Sequence, residues 1–169
     1  MPETEPTRDF VESAEQFCTL IDHHQSSSDW EFLHKCASQL AHLYRAAVLL
    51  SLSPADNECD DIVGTEISHD QWEVLYHSLG EKLGSHCLYW EVYDPREDGD
   101  PVAGDLADDL ADIYRDVKNG LVAYKDGQIN EAVWDWRFTF SSHWGDHLVD
   151  ALRAIHRIVS AHLLEGETE

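Results

Sequence analysis

An all-α antiparallel bundle of about five main helices is the fold class this sequence predicts. Three observations point to it. Apolar residues recur at steps of three and four through most of the chain, the spacing of one helical face. Two capping boxes, Ser28 with Glu31 and Ser68 with Gln71, mark helix starts by placing a hydroxyl three residues ahead of a longer acceptor side chain. Period-two alternation, the mark of a strand, is confined to short aromatic segments. A length of 169 residues suits one domain. A chain of that size buries roughly 70% of its unfolded surface, so neither disulfide nor metal is needed to hold it. Residues 7–164 are assigned to the bundle, with residues 1–6 and 165–169 as disordered acidic tails.

The first helix is expected from Thr7, with Phe10, Ala14, Phe17, Cys18 and Ile21 on one face, and it ends near His23 and His24. Those two histidines are expected to favour the negative end of the helix dipole. The second helix opens at Ser28 and carries Trp30, Leu33, Ala37, Leu40, Tyr44 and Ala47 on one stripe until Pro54 stops it. Residues 53–67 read as an acidic loop. The third helix opens at Ser68, carries Trp72, Leu75, Tyr76, Leu79 and Leu83, and meets Gly84 at its end.

Residues 86–94 are aromatic and β-branched, and read as a minor irregular or strand-like segment. Asp100-Pro101 resembles an N-cap followed by proline in the first helical position, so the fourth helix is expected from there. Leu106, Leu110, Ile113, Val117, Leu121 and Tyr124 form its apolar side, and Gly127 its stop. Residues 134–141 alternate apolar and polar, which on its own signals a strand able to pair with residues 88–93. Helix is preferred, because Trp136, Phe140 and Trp144 keep a four-residue step that runs into Leu148, Leu152, Ile155 and Val159, with Gly145 as the kink.

Against 34 Asp and Glu stand 11 Lys and Arg, a formal charge of −23. That excludes unassisted binding to nucleic-acid phosphate, which draws its affinity from basic side chains, and disfavours an anionic membrane surface. Cys18, Cys36, Cys59 and Cys87 include no C-x-x-C pair and are expected as reduced thiols. The opening residues carry neither the basic nor the apolar region of a signal peptide. Arg45 to Leu52, the longest apolar stretch, is too short to span a bilayer, so a cytoplasmic protein is expected.

Tyr93-Asp94-Pro95, the run from Leu106 to Asp116, and His143-Trp144-Gly145-Asp146-His147 with the run from Asp150 to His156 resemble a bacterial family known as domain of unknown function 5063. The likeness extends from about residue 10 to residue 160. It implies a bacterial, all-helical, single-domain protein and supplies no activity, cofactor or site residue.

Two side-chain stripes carry candidate chemistry. Asp105, Asp108, Asp109, Asp112 and Asp116 fall within an arc of about 100° on the fourth helix. Like charges at such spacing cost roughly 0.2–0.5 kcal/mol per pair in an exposed helix, and short carboxylates suit Mg²⁺ or Mn²⁺. A solvated face is the competing reading. On the last helix His143, His147 and Asp150 occupy successive turns, the spacing of imidazole and carboxylate ligands to a transition metal such as zinc. Trp136, Phe140 and Trp144 are expected to wall that pocket, and the competing reading makes the histidines boundary residues. Two functions follow. The preferred one is a non-enzymatic binding or regulatory protein that meets a basic protein partner through its acidic surface. The alternative is a divalent-metal-dependent hydrolase of the nucleotide-phosphate class, built on Asp105, Asp108, Asp109, Asp112, His143 and His147, with Mg, Mn or Zn as cofactor. No cofactor is certain from the sequence, and it leaves the oligomeric state open.

Overall fold

A computed structural model of the chain describes residues 4–52, 67–92 and 94–166. Within them α1 (Glu5–Asp22), α2 (Asp29–Ser51), α3 (His69–Leu83) and α4 (Leu106–Lys125) are followed by α5 (Ile129–Thr139), which runs through a π turn at Phe140–Trp144 into α6 (Gly145–Gly166). Counting α5 and α6 as one bent helix leaves five main helices, together with a two-stranded antiparallel sheet. Among the described residues no helix is long and apolar enough to cross a membrane.

Helix α1 starts earlier than Thr7 because Thr4 caps it, its hydroxyl accepting the Thr7 N–H at 3.3 Å. Glu5 and Pro6, expected in a tail, therefore belong to its first turn. Its five expected apolar residues are all buried against the core. At the opening of α2, Ser28 accepts the Glu31 N–H at 3.3 Å, but the Glu31 carboxylate turns to Lys35 at 2.7 Å, so only half a capping box forms. The box at Ser68 and Gln71 is complete. The buried face of α2 includes Phe32, Cys36, Leu43 and Leu50 beside the expected Leu33, Leu40 and Ala47, while Tyr44 is exposed. Helix α2 packs on α1 and α6 together, which widens and rotates its apolar arc.

The expected start of the fourth helix at Asp100-Pro101 is corrected. A strand β2 (Val102–Asp105) comes first, and it pairs with β1 (Leu88–Glu91) in the register Leu88 to Asp105 and Glu91 to Val102. Residues 134–141 are helical and give β1 no partner. The ladder feeds directly into α4: the Leu106 N–H donates to the Cys87 carbonyl at 2.8 Å, and the Asp105 carboxylate caps the helix by accepting the Ala107 N–H at 2.9 Å. Gly104 has a separate task. A Cβ there would overlap the ring of Tyr89, its neighbour across the ladder.

Helix α4 is central, packing on α1, α3, α5 and α6. It buries the expected Leu106, Leu110, Ile113, Val117 and Leu121, and on further faces Ala107, Ala111, Asp109 and Asp112. Gly127 follows it at φ 88°. The aromatic alternation of α5 splits between two helix faces. Trp136 is fully buried and donates its indole N–H to the Val117 carbonyl at 3.1 Å, whereas Trp134 and Phe138 stack on each other at 5.1 Å on the outer side. The bend at Gly145 is a π turn. The Phe140 carbonyl lies so close to Gly145 that a Cβ would collide with it.

Cys18, Cys36 and Cys87 are free thiols. Burial pushes Cys18 up to about 12 and raises Cys36 as well, so both are inert packing groups. Cys59, residues 53–66 of the segment expected as an acidic loop, and the terminal residues 1–3 and 167–169 lie outside the described residues.

Candidate metal centre

Antiparallel packing of α4 against the π turn and α6 lays one ladder against another. Asp109, Asp112 and Asp116 face His147 and His143 in reversed order, so each imidazole sits between two carboxylates. The flanking acids hold Nδ1: His143 Nδ1 is 2.7 Å from Asp116 Oδ2, and His147 Nδ1 is 2.8 Å from Asp109 Oδ1. The central acid faces Nε2. Asp112 Oδ2 lies 3.7 Å from His143 Nε2 and 3.6 Å from His147 Nε2.

Those last two distances are too long for hydrogen bonds. Ligands held tetrahedrally by zinc at about 2.0–2.1 Å stand about 3.3–3.4 Å apart, so the Asp112 separations are close to those of a shared ion, and the set, which spans up to 4.8 Å, would have to close further for all three to hold one. Asp112, His143 and His147 form a set whose ligand atoms lie within 4.8 Å of one another. With Nδ1 donating to a carboxylate, each neutral ring keeps its Nε2 lone pair free, and the tautomer follows from these partners. A carboxylate behind each ligating imidazole is the usual outer shell of a histidine metal site.

Electrostatics also favour a cation here. Asp109 and Asp112 are only 5% and 8% exposed, and a buried carboxylate needs a compensating partner. Tyr89 supplies one hydrogen bond, donating to Asp109 Oδ2 at 2.6 Å. Burial first, and Asp109 second, hold the Tyr89 phenol well above its ordinary range, so it stays a donor. Burial raises the Asp109 carboxyl despite its bonds to His147 and Tyr89. The bond to Asp109 raises His147 above its ordinary value against the opposing effect of burial. Arg115 stands 2.8 Å from Asp112 Oδ1, with its planar guanidinium 5.8 Å from the Trp72 ring centre. Its approach is off the N–H direction, leaving Oδ1 ion-paired without a hydrogen bond.

Of the residues expected in a shared site, the structure brings Asp109, Asp112, His143 and His147 together. Asp108 stands half-buried beside them, its carboxyl raised by burial and then by Asp112. Asp105 is drawn off as the α4 cap and accepts from Tyr76 at 3.0 Å. Asp150 is half-exposed and lines a different cavity with Glu91. Trp136 and Trp144 are not a pocket wall. Both are fully buried against Phe10 in the main core, at 4.8 and 6.2 Å between ring centres, and Phe140 packs on Trp144 beside Tyr44. The solvated-face reading fails for Asp109 and Asp112, which face α6 and the π turn. Tyr89 had no assigned role in the sequence. The signal available for Asp116 was its four-residue step from Asp112, matching the step from His143 to His147.

The family described as Domain of unknown function (DUF5063) matches residues 2–161. A crystal structure of protein BF1032 from Bacteroides fragilis is similar in fold, with a TM-score of 0.79 at 24% identity over 91% of this chain and 92% of that one. No curated protein matches the chain.

Proposed function

We propose that this chain, which belongs to the DUF5063 family, a domain of unknown function, binds one divalent transition-metal ion and uses it for hydrolysis. The observation that supports this is the convergence of Asp112 Oδ2, His143 Nε2 and His147 Nε2, with both Nδ1 atoms tied back by carboxylates. Two imidazoles and one carboxylate leave an open position on a four-coordinate ion, the arrangement of a catalytic rather than a structural site. Such an ion activates water at neutral pH and polarises a bound oxyanion. Asp108 is the group to take the proton, since its raised carboxyl is poised nearer neutrality than an ordinary aspartate. The acidic-partner reading gains nothing from Asp109 and Asp112, which are withdrawn from the surface.

Thermal melting after chelator treatment tests the reading, with Zn²⁺, Ni²⁺, Mn²⁺ and Mg²⁺ added in turn. Zn²⁺ or Ni²⁺ should raise stability by about 2.7 kcal/mol at a hundredfold excess over Kd. His143→Ala, His147→Ala and Asp112→Asn should each abolish the response while His23→Ala retains it. A response to Mg²⁺ alone, or one that survives loss of either site histidine, removes the proposed centre.

A further inference from the structure

Seven and eleven residues separate Trp136 from His143 and His147. In an unbroken α-helix, at about 100° per residue, both imidazoles would fall within roughly 20° of the Trp136 line and aim into the core. Trp144, eight residues on from Trp136, would fall about 80° off that line. The structure has the opposite arrangement. Trp136 and Trp144 are both fully buried against Phe10, while His143 and His147 stand half-buried against the carboxylates of α4. The π turn at Phe140–Trp144 accounts for the difference. A turn closed from i to i+5 holds one residue more than an α turn, so all that follows lags by up to about 100°. That lag draws Trp144 back toward the Trp136 line and swings the histidines off it.

Side chains of the turn itself hold this register. Gly145 follows Phe140 by five residues, and a Cβ there would collide with the Phe140 carbonyl, so the turn closes only on glycine. Thr139 donates its hydroxyl to the Asp135 carbonyl at 2.7 Å and accepts the Trp144 indole N–H at 3.0 Å. Thr139 and Trp144 are also five residues apart, the span of one π turn. At α spacing they would stand about 140° apart around the helix, on nearly opposite sides. Ser141 and Ser142 add hydroxyl bonds to the carbonyls four residues back, at 3.1 and 2.8 Å, a pattern that bends helices.

We propose that Thr139 is a positioning residue of the metal centre. Its hydroxyl latches the Trp144 indole across one π turn, and that register turns His143 and His147 from the core line onto Asp112. The inference rests on the metal reading for what the histidines do, and on the turn alone for where they point. Packing of Trp136 and Trp144 on Phe10 thereby sets the direction of two ligands outside the core. Loss of the hydroxyl lets the turn relax toward α register. Both imidazoles then rotate away from Asp116 and Asp109, the partners of their Nδ1 atoms.

Two variants of the full chain test this: Thr139→Val, which keeps the volume and removes the hydroxyl, and Thr139→Ser, which keeps the hydroxyl. In metal-free protein, NMR of the imidazole nitrogens and ring protons reads the placement of His143 and His147 directly. Thr139→Val should move both sets of resonances, and Thr139→Ser should retain them. In isothermal titration with Zn²⁺, Thr139→Val should bind about tenfold or more weakly, the loss that follows when the support of a ligating histidine is removed, and Thr139→Ser should stay within about twofold of the parent. A hydroxyl with a merely structural role would lower the melting temperature of Thr139→Val and leave both readouts as in the parent. That result overturns the proposal, and so does Thr139→Ser as impaired as Thr139→Val. A parent chain that binds no Zn²⁺ removes the metal centre instead, and the imidazole resonances then decide the positioning role on their own.

Discussion

Asp109 illustrates how a single residue changes meaning between sequence and structure. On a helical wheel it is one of five acids in a stripe, and substitution by lysine relieves repulsion. In the fold it accepts from Tyr89 at 2.6 Å and holds His147 at 2.8 Å in a site that water barely enters. Asp109→Lys should therefore destabilise by about 3 kcal/mol or more, because it leaves an uncompensated charge beside a histidine. A melting temperature at or above the parent's would restore the solvated-face reading. Protonation supplies a second prediction. The His147 imidazolium gains from Asp109, so its folded pKa lies above the unfolded 6.5. The stabilisation is complete below pH 6.5 and is lost as pH rises through the folded value. A metal ion competes for the same ring and binds more tightly as protons leave. Metal-free protein should thus lose stability from pH 6.5 upward while Zn²⁺-loaded protein gains relative to it, and parallel melting curves across that range would contradict the assignment.

Helices were more legible than their faces. The expected stripe of α1, and that of α4 as far as Leu121, are buried as the spacing required, because α1 presents Phe10, Phe17 and Ile21 and α4 presents Leu106, Leu110 and Leu121 directly to the core. Strand β2 was not legible. Val102-Ala103-Gly104-Asp105 is too short for alternation to register, and only its pairing with β1 defines it. The strand signal at residues 134–141 was misleading for a physical reason: aromatics at every second position feed two faces of one helix, Trp136 inward and Trp134 with Phe138 outward. Close approach at α4 and α5 depends on Gly120, where a Cβ would run into the Trp136 indole. Gly120→Ala gains helix propensity, worth about 1 kcal/mol, but overpacks a rigid contact that also anchors the indole N–H to Val117. A net loss of about 1–3 kcal/mol is expected in chemical denaturation, and an increase in stability would show that the contact relaxes freely.

At the scale of the molecule, the two halves of the site come from distant sequence. Residues 109–116 and 143–147 meet only because α4 and the bent α5–α6 helix run antiparallel, so the ladders were visible separately and their juxtaposition was not. The π turn matters here because it contains His143, while His147 follows on the regular helix, and such turns often re-aim side chains at functional sites. Charge is the other global property. The chain carries −23, so solubility should fall between pH 8 and pH 5 as protonation erodes that charge and self-repulsion fades. Unchanged solubility over that interval would contradict a uniformly acidic surface. The claim on which the functional account turns is that both imidazoles and one carboxylate share an ion, and X-ray absorption at the zinc edge of protein loaded with one equivalent of Zn²⁺ addresses it directly. An ion shared by Asp112, His143 and His147 gives a first shell of nitrogen and oxygen only, at about 2.0–2.1 Å, with the outer-ring scattering of two imidazoles; sulfur scattering at about 2.3 Å, or a shell lacking imidazole, would contradict it.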